Sequence, residues 1–482
     1  MSVLQNLLKK GLVWSFVDNV LLKGITFIVT IVLARILTPN DFGLLGIITI
    51  FISLGNAIIE GGMGNSIVRD NKSTSSDYNA VFYGNLILSL LLYPILFFTA
   101  PYISKYFNND IIVPLIRVYG LSFIISAFYY IQYSIFLKEM SFKKITAFNI
   151  PAVITGAVVG LASAYLGKGV WSLVYMQLST LVFKVLFYWI FSSWTPELGF
   201  SFKVLKKHLN FGYKLMISSI MDAAMREVYS FIIGKHFSIK SLGYFNHSKS
   251  FRNYPVNLLS TVVSSVTFPL LSKIQDDREK VGRLYAKILR SIFFVFTPFM
   301  VVLIVVAKPM FLLLFTAQWL PAVPYFQLLA ISGTLIPIHV CNLNIFKIFN
   351  RTDLYLKLEV IKVLLVCVSL AIGYFWGIFG LLYAIIGSSI LGLFVNTYYG
   401  KKLIQYGTLD QLSDMFPTVL FASVSYFLGT YALSQSDSLH IMVQLIIGIV
   451  FTLVSYLILA FLFKSKSLVE VKGLCKLILK PN

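Results

Sequence analysis

Acidic side chains are scarce in this sequence. Asp and Glu number 19 against 40 Lys and Arg, giving a net charge of +21, yet charged residues of both signs fill only 12% of 482 positions. With 58% of residues hydrophobic, so apolar a chain does not read as a nucleic-acid binder. Its surplus Lys and Arg fit the inner flanks of membrane helices instead. Cysteine is nearly missing. Cys341 and Cys367 lie in apolar runs and Cys475 in a basic tail; without metal-ligand spacing, neither a disulfide framework nor a cysteine metal centre is expected. Five scattered histidines (His208, His236, His247, His339, His440) form no His-Glu-x-x-His motif. Gly167-Lys168 is not a phosphate loop, because Gly169 stands where Ser or Thr must hold magnesium. Asp276-Asp277, the one adjacent pair of carboxylates, sits in a short basic loop. These absences argue against an enzyme, and no cofactor or metal is expected.

Long apolar runs are what the chain does have. They recur from near Gly11–Ile36 to Leu439–Phe463, each close to the roughly 20 residues that cross a bilayer. Lys9 and Lys10 precede the first run as in a signal peptide, but that run continues to Leu37 and contains Asp18 and Lys23. It reads as a first membrane helix rather than a cleaved leader. The expected fold is an all-α polytopic membrane protein with about 14 transmembrane helices. Alternate loops are rich in Lys and Arg (Lys138, Lys143 and Lys144; Lys203, Lys206 and Lys207; Lys273, Arg278, Lys280 and Arg283). The positive-inside rule then places both termini in the cytoplasm.

Polar residues inside the runs are spaced, not scattered. Ser219, Asp222, Arg226 and Ser230 recur every three or four positions, as do Asn246, Lys249, Asn253, Asn257, Ser260 and Ser264; each set marks one side of a helix. Glu227 and Arg252 add charge to the same two runs. Charge at mid-membrane costs about 2.5–3.5 kcal/mol on insertion scales, so these stripes are expected to line a water-filled cavity for a polar, net-anionic cargo.

The chain also repeats. Arg35-Ile36-Leu37-Thr38 with Phe42-Gly43-Leu44 matches Lys235-His236-Phe237-Ser238 with Leu242-Gly243-Tyr244, two hundred residues on. Ala100-Pro101 and Gly169-Val170-Trp171 have later echoes in Ala307, Pro309 and Gly377-Ile378-Phe379. Two parallel six-helix repeats follow, residues 1–200 and 201–408, with two further helices and a basic cytoplasmic tail in 409–482. The repeat extends the polar register to Asn19, Lys23, Thr26 and Thr30 and to Gly46, Thr49, Ser53, Glu60 and Gly64. Gly61, Gly62 and Gly64 weaken the second helix and Pro255 interrupts the eighth, as hinges or as points of tight helix packing.

Leu33-Ala34-Arg35-Ile36-Leu37-Thr38-Pro39 with Asp41-Phe42-Gly43, Glu60-Gly61-Gly62-Met63-Gly64-Asn65-Ser66-Ile67-Val68, Ser141-Phe142-Lys143-Lys144-Ile145 and Gly167-Lys168-Gly169-Val170-Trp171-Ser172-Leu173 come in this order. In this the chain resembles the bacterial polysaccharide transporters, the Wzx-type flippases of the multidrug/oligosaccharidyl-lipid/polysaccharide superfamily. The resemblance covers most of the first four hundred residues. It implies two six-helix lobes around a central cavity open alternately to either side of the plasma (inner) membrane. The implied cargo is an undecaprenyl-pyrophosphate-linked oligosaccharide for O-antigen, capsule or exopolysaccharide. Membrane lipids, and the glycan polymerase machinery, are the other partners it allows.

A lipid pyrophosphate needs fixed cations, and Arg226, Lys249, Arg252, Lys23 and Arg117 are the candidates, arginine being suited by its bidentate fork. Asn19, Thr26, Ser219, Asn246, Asn253 and Asn257 are the expected polar lining. Asp222 and Arg226, four apart, also suit a simple ion pair, and Arg290 suits snorkelling toward the cytoplasm. With no nucleotide site, an ion gradient is the expected energy source. Glu60 ranks first as its proton or sodium site, ahead of Asp222 and Asp18. Two other classes compete: a multidrug/cation antiporter, which should present carboxylates, and a membrane-embedded glycan-assembly enzyme, which should carry a sizeable outer loop.

Overall fold

A computed structural model describes residues 2–197 and 199–479, with side chains described for Trp14, Asp18 and residues 20–473 other than 198, 266 and 352. All regular structure among them is helical. The chain divides into two compact units, Met1–Asn246 and His247–Asn482.

The first unit holds α1 (Ser2–Ile36), α2 (Pro39–Glu60), α3 (Met63–Arg69), α4 (Ser75–Phe107), α5 (Ile112–Lys138), α6 (Phe142–Tyr165), α7 (Trp171–Ile190), α8 (Phe202–His236) and the first turns of α9 (Ile239–Ser272). The second holds the rest of α9, then α10 (Arg278–Val305), α11 (Ala307–Leu314), a 3-10 turn (Ala317–Ala322), α12 (Val323–Ile348), α13 (Thr352–Tyr374), α14 (Gly377–Ile404), α15 (Thr408–Ser434), α16 (Ile441–Leu462) and α17 (Lys466–Leu479). Among the described residues fourteen helices run twenty residues or more, at the places expected from the apolar runs. Eleven spans are long and apolar enough to cross a membrane. The other long helices are α1, whose first half has few described side chains, and α8 and α13, which carry Asp222, Arg226 and Glu227 and Lys357, Glu359 and Lys362. Large apolar side chains such as Phe98, Leu364, Phe427, Ile446 and Phe461 are exposed, as lipid-facing residues must be.

Local chemistry starts the two matching helices in the same way. At α2, Thr38 and Asp41 form a capping box, with Asp41 accepting from the Thr38 amide at 2.8 Å and Pro39 at the first helical position. At α9, two hundred residues on, Ser238 accepts from the Ser241 amide at 3.0 Å. Both satisfy amides that a helix start leaves without partners. The sequence repeat is thus a repeat of helix caps.

The first compact unit runs on to Asn246. Helix α8, expected to open the second lobe, packs on α2, α3 and α4. Its approach is anchored first: Trp194 is buried, its carbonyl accepts from Gln132 at 3.2 Å and its indole donates to Ser75 at 3.1 Å. Fully buried His208 then sits between Ser66 Oγ and Asp77 Oδ1, each at 2.8 Å. Lys207 reaches Asp70 at 2.6 Å and Asp77 at 3.2 Å. In the second unit, α13 lies along α14, α12 packs on α14 and α10, and α10 meets α15 and α16. Arg290 does not snorkel; it is buried, paired with Asp414 of α15 and Glu470 of α17 at 2.6 Å each.

Candidate functional site

Two backbones meet without side chains between them where α2 and α9 begin. A Cβ on Gly43 would lie 1.9 Å from the Ile239 carbonyl oxygen, and one on Gly243 would lie 1.8 Å from that of Pro39. These contacts are reciprocal, since Pro39 and Gly43 correspond to Ile239 and Gly243 in the repeat. Gly46 faces its own counterpart, Asn246, whose Nδ2 would lie 2.0 Å from an added Cβ. A residue touching its own equivalent marks a local two-fold axis. Asn246 Oδ1 accepts from Ser230 of α8 at 3.0 Å. Asn246 and Ser230 are thereby joined to one another, α8 to α9.

The remaining stripe residues of the first unit are largely self-sufficient. Thr26 and Thr30 donate to the carbonyls of Leu22 and Thr26 at 2.7 Å each, and Thr49 to that of Leu45 at 2.8 Å. Back-bonding of this kind lets a hydroxyl line an apolar helix at little cost. Ser219 and Thr26 are exposed and Lys23 is partly buried; the side chain of Asn19 lies outside the described residues. Asp222 and Arg226, both exposed, form the i, i+4 ion pair. Asp18 is partly buried, with the charge of Lys184 on α7 bearing on it. Lys184, which lies 5.8 Å from the Tyr129 ring centroid, carried no signal in the sequence because its run shows no stripe. Arg117 is spent elsewhere: its guanidinium stacks 4.1 Å from the Phe97 ring centroid and its Nε lies 3.5 Å from the Phe97 carbonyl.

The glycine cluster both breaks a helix and packs tightly. Gly61 (φ 52°) and Gly62 (φ 65°) separate α2 from α3 in the left-handed region, which glycine enters freely. A Cβ on Gly62 would also lie 2.7 Å from the Gly212 carbonyl of α8. Glu60 is exposed at the end of α2 beside this break. Pro255 sits within α9, which continues as one helix to Ser272.

In the second unit Arg252 stands apart from the other cations. It is 8% exposed, between α9 and α12. A Cβ on Gly333 of α12 would lie 2.7 Å from its Cδ, so that glycine makes room for the arginine stem. Its Nη1 reaches Ser332 Oγ at a long 3.4 Å and its Nε has no hydrogen-bond partner among the described residues. No ion pair to Arg252 occurs among them either. Lys249 and Asn253, near it on α9, are partly buried and Asn257 is exposed. An apolar groove of about 990 Å³ lies in the same unit, lined by Phe293, Ile331, Ile390, Phe394, Phe416 and Val419 among others. No cluster of metal-binding side chains occurs among the described residues.

Repeated membrane helices, related start to start and carrying polar and cationic residues, fit a polytopic membrane transporter. The chain belongs to the family described as polysaccharide biosynthesis protein, whose model matches residues 32–324. It is similar to the lipopolysaccharide biosynthesis protein WzxC of Escherichia coli (strain K12), 25% identical over 365 residues, 75% of this chain and 74% of that one. It is also similar to the succinoglycan biosynthesis transport protein ExoT of Rhizobium meliloti (strain 1021), 24% identical over 325 residues, 67% and 66% of the two chains. Its fold matches the lipid II flippase MurJ in an inward closed conformation, with TM-score 0.70 and 17% identity over 94% of this chain and 98% of that one. An inward-facing multidrug resistance transporter of the MATE family shares the fold at TM-score 0.62 and 17% identity, over 80% and 96%.

Proposed function

We propose that this protein carries lipid-linked oligosaccharide repeat units, anionic through their pyrophosphate, across the bacterial plasma membrane for surface polysaccharide synthesis. Membership in a polysaccharide biosynthesis family and a transporter fold together point to movement of an intermediate rather than to its chemistry. The fold is common to flippases and drug transporters, so it does not decide the cargo. Arg252 does. A buried guanidinium with an idle Nε costs about 1–3 kcal/mol per unsatisfied group, and a phosphate oxygen is what its fork fits. A cationic drug would be repelled there. The apolar groove suits a polyprenyl chain. Arg226, Lys249 and Lys23 are the further cations proposed for the pyrophosphate, with both termini on the cytoplasmic side and an ion gradient as the driving force.

Purified protein in vesicles, given a fluorescent undecaprenyl-pyrophosphate oligosaccharide, tests this. Arg252→Ala is expected to lose most flipping at normal abundance, with Arg252→Lys retaining part of it. Wild-type rates in the alanine variant, or transport of a cationic dye in preference to the anionic lipid, would sink the reading.

A further inference from the structure

Helix α12 joins Arg252 to a second polar centre. Pro337 lies inside it. Having no N–H, Pro337 leaves the carbonyl of Gly333, four residues back, without its helical partner. Gly333 is the residue against which Arg252 packs. Two residues beyond the proline, partly buried His339 turns toward α14. Its Nε2 lies 3.1 Å from Ser389 Oγ and its Nδ1 lies 3.2 Å from Asn396 Nδ2.

Both partners are amphoteric. A serine hydroxyl donates or accepts, and an amide does either by turning over. As drawn, the Asn396 amide donates to Nδ1 while its fully buried Oδ1 has no hydrogen-bond partner among the described residues. Reversing that amide gives the oxygen a donor, an Nδ1–H, once the ring carries two protons. Each protonation state of His339 is therefore fully bonded, by rotation of one side chain. This contrasts with His208, whose Nε2 faces a carboxylate oxygen of Asp77.

Charges around the ring come from the elements packed on α12. Helix α13 brings Lys362, whose charge bears on His339 and which is paired with Glu359 at 3.0 Å. Helix α14 brings Ser389 and Asn396, neither titratable in this range. From α10 comes Tyr285, spent on Asn342 at 2.7 Å; α11 carries exposed Lys308, and the 3-10 turn has no charged residue. On α12 itself, Cys341 is buried.

We propose that His339, with Ser389 and Asn396, is a proton-binding site that couples to the anion site at Arg252 through the proline-interrupted middle of α12. The second proton adds a positive charge beside Lys362, and the repulsion loads α12 where its ladder is already open. The same helix forms the Ser332–Gly333 wall of Arg252, about two turns away at 1.5 Å per residue. Protonation and cargo binding thus act on one element, which is the physical requirement for coupling. This rests on the anionic-cargo reading above and adds the ion and its place.

Two measurements separate this site from that reading. In full-length protein in nanodiscs with labelled histidine, one imidazole resonance, absent from both His339→Gln and His339→Asn, is expected to titrate between about pH 3 and 8. Lys362→Met is expected to raise its midpoint, because a like charge is removed. A His339 resonance that stays in one state across that range overturns the proposal, whatever the cargo. In vesicles, the ratio of flipping with an imposed proton gradient to flipping without one is expected to fall to about one in His339→Gln. Pro337→Ala is expected to keep the titration and weaken the stimulation. Full stimulation in His339→Gln overturns the coupling role. Absence of any wild-type flipping would defeat the cargo reading, while the titration still decides the proton site.

Discussion

Gly43, Gly46 and Gly243 set how close α2 and α9 come, and each faces a different atom. A β-carbon at 43 or 243 meets a carbonyl oxygen, which cannot swing aside; at 46 it meets the amide end of a side chain, which can. Gly43→Val and Gly243→Val are therefore expected to lower stability by roughly 1–3 kcal/mol each, as overpacking does, with Gly46→Ala milder. Thermal unfolding of purified variants checks the ranking. Because the first two open the same contact, the double variant is expected to lose less than the sum. Equal effects at 43 and 46 would contradict the geometry.

Among the elements, α8 is the one whose placement the sequence conceals. Its polar stripe at Ser219, Asp222, Arg226 and Ser230 is legible because helical period is local. Its attachment depends on residues far apart: Ser66 and Asp77 on His208, and Gly62 on Gly212. Nothing in a run of residues signals such pairs. Arg290 is similar, its partner Glu470 lying 180 positions away. The glycine break was visible, but its left-handed backbone and its close neighbour were not. Gly62→Ala is expected to destabilise, although the same exchange at an ordinary helix glycine stabilises by roughly 1 kcal/mol, since both φ and the Gly212 carbonyl oppose it; Gly64→Ala, facing a serine hydroxyl, is expected to cost less. Melting temperatures would show it. At the tip of α8, the hydrogen bond from Lys207 holds the Asp70 carboxyl below its ordinary range. A lowered pKa gives a contribution that is complete above the unfolded carboxylate value and vanishes as pH falls through the folded one. Asp70→Asn and wild type should thus differ at neutral pH and converge in acid, as read by hydrogen exchange along residues 202–212. A difference that persists in acid would rule out the ion pair as its cause.

Across the whole molecule, periodicity and charge were enough for the helix order and for the repeat, because both are written in neighbouring residues. The packing of α8 on α2, α3 and α4 was not, because its partners lie far away in the chain. The sidedness proposed from Lys and Arg in alternate loops is checked by reporter fusions after Ser436 and after Lys466, which flank α16. Opposite sides are expected. Matching signals from the two fusions would refute the fourteen-helix topology.

Docking of residues 192–212 onto α3, α4 and α5 bears on how the protein is made. A ribosome that has released only residues 1–200 has produced a first repeat with the seat of His208 empty: Ser66 and Asp77 face one another with no ring between them. The first half matures only when the opening helix of the second has emerged. A gene split near residue 200 and expressed as two polypeptides should therefore yield a labile amino-terminal fragment. A split in the loop between α9 and α10, after Lys273, leaves every one of those contacts on a single chain, and the two pieces should reassemble in the membrane.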